Sequence, residues 1–248
     1  MLGKRPVRSG LIGEGEVGYR HESNLTFFAR GLEVLALIRE VFLDSAGASR
    51  SLLASRELTQ AWDRPSALDE MSVGALAGHL MRAVTSVDAY LDVPPPQGDD
   101  VLDAAGYFGS IDGLADRDLH NELHTAIRAR AAEEADAGPA GVVERWDASI
   151  RRLAARLPDE PPDRVVPALG GRCVLLDEYL VTRLVEMLVH SDDLAVSVGL
   201  ERPKFPEHAN TAVIDCLVEV ARRRHGSAAV IAALARRERD AIDALRVL

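Results

Sequence analysis

Apolar residues recur every three or four positions through several long stretches of the chain, a spacing that predicts amphipathic α-helices. The first stretch covers residues 24–61, with a bend predicted near Gly47. Pro65 ends this pattern because proline cannot continue a helix. Ser72 is then a favourable N-cap for a second helix that extends to about Asp92. The N-terminal half therefore predicts helices rather than strands.

The C-terminal half continues the helical pattern after a long, turn-rich connection. Helical spacing resumes over about residues 118–157, with a pause at "DAGPAG". The segment "RVVPALGGRCVLL" has β-branched residues on both sides of two glycines, which indicates a short hairpin or an extended crossing segment. A further helix over residues 176–199 ends at a glycine, and two more are predicted at about 206–224 and 228–247. The fold class predicted is all-α, a four-helix bundle with a helical tail.

The domain organisation follows from the same pattern. Glycines interrupt any periodicity over residues 1–22, which predicts a flexible N-terminal extension. We expect the helical bundle over residues 23–202 and a helical C-terminal extension over residues 203–248. No segment has the roughly 18 consecutive apolar residues of a membrane helix, and the start lacks the apolar core of a secretion signal. These patterns predict a cytoplasmic protein that makes no membrane contact.

Composition and charge narrow the class further. Hydrophobic residues make up 47% of the chain but aromatic residues only 4%, so the core is expected to consist of aliphatic helix faces. The formal net charge of −10 would repel a phosphate backbone, which argues against a nucleic-acid partner. The two cysteines, Cys173 and Cys216, lack metal-binding spacing and are expected to be ordinary small hydrophobes.

One narrow polar line crosses the otherwise apolar stretch "LVTRLVEMLVHSDDLAVSVG". Positions three and four apart share a helix face, so Arg183, Glu186, His190, Asp193 and Ser197 form this line. In one interpretation it is the solvated face of an amphipathic helix, with ordinary surface ion pairs. In the other, the helix is buried all round and the line lies inside the bundle, where charged groups need partners or a metal. The pattern alone slightly favours the solvated face.

A carboxylate and an imidazole one turn apart could both bind one ion. Glu186 and His190 would supply two of the three protein ligands of a catalytic zinc site. The candidate for the third is His79 in "LAGHLMRA", because Gly74 and Gly78 beside it would let another helix or a ligand come close. The alternative for His79 is a hydrogen-bonded core histidine, which the pattern alone favours.

A rival histidine pair occurs in "DLHNELHTA", where His120 and His124 also stand four residues apart. Their surroundings are rich in charged and polar residues, which is typical of an exposed first helical turn. A metal role is therefore less favoured there. The chain lacks GxGxxG, GxxxxGK[ST], GxSxG and HExxH, so nucleotide binding and the familiar hydrolase classes have no support.

Two segments of the chain resemble a known family. "AWDRPSALDEMSVGALAGHLMRAV" is similar to the signature W-x-x-P-S-x(4)-W/F/M-[ST]-V-x-x-L-x-x-H-L of the mycothiol-dependent maleylpyruvate isomerase N-terminal domain, a branch of the DinB-like metalloproteins. "TRLVEMLVHSDDLAVSVGL" is similar to its second signature, R-x-x-E-x-x-x-H-x-x-D-L-x-x-x-x-G. The resemblance covers roughly residues 37–200. It implies a DinB-like four-helix bundle, to which we add a short helical C-terminal extension and one small β-hairpin.

The resemblance also implies a site and a chemistry. The family's ligands fall on His79, Glu186 and His190, which would hold Zn²⁺ or another divalent metal. The co-substrate implied is mycothiol, whose thiolate would attack a small-molecule electrophile and give an S-transferase or isomerase. Asp193 is expected to orient a ligand histidine, and Arg82 or Arg183 to hold a substrate carboxylate. A homodimer is a candidate assembly.

One departure from the family concerns the C-terminal segment. The isomerase has a separate C-terminal domain that contributes an arginine to catalysis, whereas a short helical tail follows Pro203 here. Maleylpyruvate is therefore not assigned as the substrate, and no C-terminal arginine is carried over. Two alternatives remain open: a non-catalytic metal- or ligand-binding module, and a metal-dependent hydrolase.

Overall fold

The computed structural model describes residues 22–96, 100–114, 116, 118, 120–236, 242–245 and 247, with side chains described from residue 37 onward except at residues 242 and 243. The flexible extension predicted at the N-terminus lies outside the described residues, apart from Glu22. The elements, in chain order, are α1 Glu22–Leu53, α2 Arg56–Ala61, α3 Val73–Leu91, β1 Val101–Leu102, α4 Ala104–Gly109, α5 Glu122–Ala135, α6 Gly138–Arg156, β2 Val165–Ala168, β3 Arg172–Leu175, α7 Leu176–Val198, α8 Glu207–His225, α9 Ser227–Ala235 and α10 Ile242–Leu245.

The predicted helical bundle is confirmed. Helices α1, α3, α6 and α7 surround one aliphatic core, and α5 packs on the outer side of α3. Side chains from all four bundle helices are fully buried, among them Phe42, Leu80, Trp146, Leu153 and Leu184. Burial of these large apolar groups supplies the main driving force for the fold. Among the described helices, none has the length and apolar character needed to cross a membrane.

Local sequence signals set several helix ends. The Ser72 side chain caps α3 by accepting a hydrogen bond from the backbone N–H of Ala75. Gly199 ends α7 in the left-handed conformation, with φ of 72°. The bend predicted near Gly47 is wrong, since α1 continues through this residue and ends at Leu53. A single glycine weakens a helix by only about 1 kcal/mol, which the packing of α1 in the bundle outweighs.

The small hairpin is also confirmed. Strands β2 and β3 pair antiparallel, with Val166 opposite Val174, and Gly170 and Gly171 adopt positive φ between them. The structure adds a strand that the sequence pattern did not predict, because β1 pairs in parallel with β3. This pairing ties the connection after α3 to the start of α7. Helix α4 follows β1 directly and contacts α7 and α8.

The C-terminal helices pack on the bundle. Helix α8 contacts α7, α4 and α1, and α9 packs on α8. Cys216 of α8 is buried and Cys173 of β3 is partly buried, and both are free thiols, as expected from their spacing. Burial raises the pKa of the Cys216 thiol to about 12, so this cysteine is an inert core residue. The division between bundle and tail at residue 203 stays a prediction.

Candidate metal centre

Helix α7 is buried around most of its circumference, so its polar line lies inside the protein. Thirteen of its residues are buried, and Arg183 on the polar line retains only 8% of its surface. The side chains of Glu186 and His190 are 23% and 17% exposed. Both of them line an internal cavity. The interpretation of this line as a solvated face is therefore wrong for its central part, because α1, α3 and α8 pack around α7.

Helix α3 brings His79 to the same point. The His79 Nε2 atom lies 3.3 Å from Glu186 Oε2, and His190 Nε2 lies 3.2 Å from the same oxygen. The two imidazole rings meet edge to face, with centroids 4.7 Å apart. One potential ligand atom from each of the three residues lies within 4.8 Å of the others. The three residues named from the sequence thus form one cluster.

The spacing of this cluster fits a metal ion. Tetrahedral zinc with ligands at about 2.0 to 2.2 Å separates neighbouring ligand atoms by about 3.4 Å. The two distances between Glu186 and the imidazole nitrogens are 3.3 and 3.2 Å. A carboxylate and two imidazoles form a donor set found in catalytic zinc sites. With all three ligand atoms within 4.8 Å of one another, the residues present therefore fit a divalent ion.

Asp193 lies directly behind the cluster. Its Oδ2 atom is 3.0 Å from His190 Nδ1, where it can accept the Nδ1 hydrogen. That hydrogen bond leaves the Nε2 lone pair of His190 directed at the cluster, which is the tautomer that a metal requires. The position matches the orienting role expected from the sequence. Ser197 is the last residue of the polar line. Its hydroxyl instead donates a hydrogen bond to the backbone carbonyl of Asp193.

Without an ion, the cluster behaves as a buried ion-paired group. Burial opposes the charge on Glu186, but hydrogen bonds from His190 and His79 and the nearby Arg183 charge hold its pKa well below the ordinary value. Burial also opposes the charge on His190, yet the Asp193 and Glu186 carboxylates raise its pKa to about 9. Burial lowers the pKa of His79. A bound ion would displace the proton of His190.

The cluster opens into a cavity of about 410 Å³, a size typical of small-molecule pockets. Most of its walls are apolar and come from α3, α4, α5, α7 and the loop before α3. Its lining residues are Ala67, Leu68, Asp69, Met71, His79, Phe108, Leu114, His124, Ile127, Arg128, Val185, Glu186, Val189 and His190. The apolar walls lower the local polarity beside the cluster, which strengthens electrostatic interactions there.

A second, smaller cavity of about 80 Å³ is also lined by His79 and Glu186. Besides these two residues and Ser86, its polar lining consists of three arginines and three tyrosines: Arg82, Arg130, Arg183, Tyr90, Tyr107 and Tyr179. Arg183 stacks on Tyr179, with its guanidinium carbon 4.7 Å from the ring centroid, and donates to the Thr182 hydroxyl at 3.1 Å. Ser86 holds the Tyr179 hydroxyl at 2.9 Å. The chamber combines positive charge with hydroxyl groups.

The two arginines named from the sequence differ in their surroundings. Arg183 is buried and its guanidinium lies 3.9 Å from Glu186 Oε1. Arg82 lies 3.5 Å from Glu134 on α5 and is 28% exposed. The tyrosines were missed by the sequence reasoning. Tyr179 could have been found, because it precedes Arg183 by one helical turn on the same face.

The two histidines of the rival pair, His120 and His124, lie in different environments. His120 is 75% exposed and lies 3.6 Å from Glu70, as an exposed first turn predicts. His124 instead lines the large cavity together with the cluster. Within the described residues, the group of three that could hold a metal ion includes neither of them. The expectation that both lie on the surface is therefore wrong for His124.

The space beside the two glycines near His79 is filled by other parts of the protein and not by a ligand cavity. A Cβ on Gly74 would lie 2.6 Å from the Trp62 ring. A Cβ on Gly78 would lie 2.7 Å from the backbone oxygen of Ala131 in α5. Gly78 thus lets α5 approach α3 closely, which is one of the two outcomes considered from the sequence. This approach brings the α5 wall of the cavity to the cluster.

Comparison of the chain with known proteins identifies its family. No curated protein and no solved structure matches the chain. A family model, described as the mycothiol maleylpyruvate isomerase N-terminal domain, matches residues 42–195. The match covers more than half of the chain and includes His79, Glu186 and His190. The chain therefore belongs to the mycothiol maleylpyruvate isomerase N-terminal domain family.

Proposed function

We propose that this protein is an enzyme in which a divalent metal, zinc in the first instance, activates a thiol for attack on a small electrophile. The observation that carries the proposal is the convergence of His79, Glu186 and His190 at the wall of a largely apolar cavity. Family membership supports mycothiol as the thiol and a transfer or isomerisation as the reaction. A zinc ion bound there would lower the pKa of a coordinated thiol, making the thiolate accessible near neutral pH.

The residues in and around the cluster have separate proposed roles in holding the metal and the substrate. Glu186 and the two histidines would hold the ion, and Asp193 keeps His190 in the tautomer that binds it. Arg183 is the group we propose for holding a substrate carboxylate, since the 80 Å³ chamber beside the cluster contains its buried charge. Arg82 lines the same chamber. Because its guanidinium already pairs with Glu134, we assign it a secondary role in holding the carboxylate.

The cellular location and the partners that we propose are those expected from the sequence. A free thiol co-substrate is maintained in a reducing compartment, which supports the cytoplasm as the location. The negative net charge supports small molecules rather than nucleic acid as partners. A membrane has no part in the proposed reaction.

Elemental analysis of protein purified without chelators tests the metal step. We expect about one divalent ion per chain in the wild type, a large loss in His190→Ala, and no loss in His208→Ala, whose exposed histidine on α8 is the matched control. A metal-free wild type, or an unchanged metal content in His190→Ala, would contradict the proposal.

Turnover assays test the thiol step. Mycothiol with a panel of electrophiles should give a metal-dependent change in electrophile absorbance that requires the thiol. Stoichiometric metal without thiol-dependent turnover would identify a non-catalytic binding module instead. Turnover that persists in the absence of any thiol would identify a metal-dependent hydrolase.

A further inference from the structure

Tyr107 lies on the wall of the small chamber, close to Arg183. The guanidinium carbon of Arg183 is 5.8 Å from the centroid of the Tyr107 ring. Helix α4, which carries this ring, is anchored at its start. Its N-cap residue Asp103 accepts hydrogen bonds from the Gly106 N–H at 2.7 Å and from Arg223 of α8 at 2.8 Å. Burial raises the pKa of the Tyr107 hydroxyl, so this group stays protonated near neutral pH and can donate a hydrogen bond.

The hydroxyl of Tyr107 and the two terminal nitrogens of Arg183 have unused hydrogen-bonding capacity. Among the described residues, none forms a hydrogen bond with any of these three atoms, since Arg183 uses its Nε atom to bind Thr182. The contact between Arg183 and Glu186, at 3.9 Å, is an ion pair too long for a hydrogen bond. The three atoms are also not among the fully buried polar atoms that lack a partner, so each retains some surface. Because both residues line the chamber, this surface is open to an occupant.

The side chains that line the small chamber favour an anion. Three arginines but a single carboxylate, that of Glu186, contribute to the wall described by the structure. A carboxylate can accept two parallel hydrogen bonds from one guanidinium, and a phenol hydroxyl can donate a third. The chamber volume of 80 Å³ equals that of about three water molecules at roughly 30 Å³ each, which suits a group as small as a carboxylate.

The small chamber and the large cavity share part of their walls beside the metal cluster. The residues that line both are His79, Phe108, Leu114, Ile127 and Glu186. An occupant can therefore extend from one space into the other and pass the cluster on its way. The volume of the large cavity, about 410 Å³, is sufficient for a small apolar body with a thiol beside it.

The walls of the large cavity are unsuited to a second anionic group. Most of them are aliphatic, so a charge buried against them would lose its hydration without compensation. The one arginine among the described lining residues, Arg128, is already paired with Glu70 at 3.1 Å. Asp69 also lines the cavity and would repel an anion.

We propose that the electrophile is a monocarboxylic acid with an apolar body, whose carboxylate is bound by Arg183 and Tyr107 in the small chamber while its apolar body occupies the large cavity. This inference rests on the proposed function, because it starts from the substrate carboxylate assigned there to Arg183. It adds Tyr107 as a residue that determines specificity, and it adds the apolar body. The carbon that the thiolate attacks then lies beside His79 and Glu186, which line both spaces.

Four matched probes test the inference on the full chain. Hydrocinnamate, a phenyl ring on a propionate chain, has both features. Hydrocinnamamide has a neutral head of the same shape, propionate lacks the ring, and para-carboxyhydrocinnamate has a second carboxylate at the far end of the ring. Dissociation constants are measured by protein-observed NMR titration for the wild type, Tyr107→Phe and Tyr90→Phe. Each protein is titrated with its metal and after chelator treatment, because a carboxylate can also bind a metal ion.

We expect the wild type to bind hydrocinnamate at least about tenfold more tightly than each of the other three probes. A hydrogen bond to a charged group changes affinity by about ten- to a hundredfold, and one to a neutral group by about two- to tenfold. Tyr107→Phe should therefore weaken the binding of hydrocinnamate more than that of hydrocinnamamide. Tyr90→Phe should cause a smaller loss of hydrocinnamate affinity, since the Tyr90 ring packs on Tyr179 with 5.5 Å between the centroids.

Four outcomes would overturn the inference. They are equal affinity of the wild type for hydrocinnamate and its amide, equal or tighter binding of the dicarboxylate probe, equal weakening of acid and amide by Tyr107→Phe, and equal losses in Tyr107→Phe and Tyr90→Phe. A preference for the acid that disappears after chelator treatment would likewise overturn it, because the carboxylate would then be bound by the metal ion and not by Arg183 and Tyr107.

Metal content and turnover measured on the same samples separate this inference from the proposed function. If the wild type carries no metal but prefers hydrocinnamate in a manner that depends on Tyr107, the proposed metal chemistry fails while the inference stands. If mycothiol-dependent turnover is found for neutral electrophiles and the wild type shows no preference for the acid probe, the inference fails while the metal-activated thiol chemistry stands.

Discussion

Replacing Asp193 by alanine removes the carboxylate that accepts a hydrogen bond from His190 Nδ1 at 3.0 Å. The variant should bind zinc more weakly, because the ring loses the partner that fixes its orientation and tautomer. Asp192 provides a matched control one residue earlier. Its side chain is 53% exposed and its contact is Arg202 at 3.9 Å, so Asp192→Ala should bind zinc like the wild type.

Two effects determine the magnitude of this change. Loss of a carboxylate behind a metal-bound histidine costs about ten- to a hundredfold in affinity, or about 1.4 to 2.7 kcal/mol. In the opposite direction, Asp193 also stabilises the protonated imidazole, which has a pKa of about 9 in the ion-free protein and competes with the metal. At pH 7 the removal of Asp193 relieves part of that competition. At pH 9 the competition amounts to only about a factor of two in the wild type.

The affinity should therefore be measured at pH 9, by competition with a chromogenic chelator at buffered zinc concentrations. We expect a ten- to hundredfold loss for Asp193→Ala and less than a twofold change for Asp192→Ala. A second signature is the pH dependence, since the wild-type affinity should rise more steeply between pH 7 and 9 than that of Asp193→Ala. If Asp193→Ala and the wild type bind zinc equally at pH 9, the orienting role of Asp193 is refuted.

Two further predictions concern stability. Gly78→Ala would push a methyl group against the α5 backbone, 2.7 Å from the Ala131 oxygen, and should destabilise the protein by about 1 to 3 kcal/mol. Gly47→Ala, where nothing lies within 4 Å of the added carbon, should instead stabilise it by about 0.5 to 1 kcal/mol, both measured by urea unfolding. In chelator-treated protein, the raised pKa of His190 contributes stability that is fully present below pH 6.5 and is lost as the pH rises through about 9. Unfolding of His190→Gln should show a smaller decline over that range, and identical profiles for both proteins would contradict the charged state assigned to His190.

The parts of the fold that were predictable from sequence have local causes. The Ser72 cap and Gly199 set helix ends through interactions within a few residues, so their effects can be read from the chain itself. Strand β1 has no comparable signal. It consists of two residues, Val101 and Leu102, that become a strand by pairing with Cys173 and Val174 much later in the chain.

In the candidate site, too, the features with local causes were predictable and those that depend on long-range packing were not. Glu186 and His190 stand one turn apart, so their shared face follows from helical geometry, and the resemblance of the two segments supplied His79. The position of His124 was misjudged because a polar first turn looks exposed in sequence. Helix α5, which carries this residue, packs closely against α3 at Gly78, a long-range contact between backbones, and His124 lines the cavity. No local pattern encodes such an approach.

The separation of the ligands along the chain has a consequence for biosynthesis. Helix α3 carries His79 alone, whereas Glu186 and His190 belong to α7, which leaves the ribosome much later. During translation, a nascent chain that ends before α7 contains only one of the three residues of the cluster, too few ligands for tight binding at this site. An ion bound at this site could therefore not nucleate the early helices, and its capture would report that α3 and α7 have already come together. Metal occupancy would thus serve as a measure of completed folding in the newly made protein.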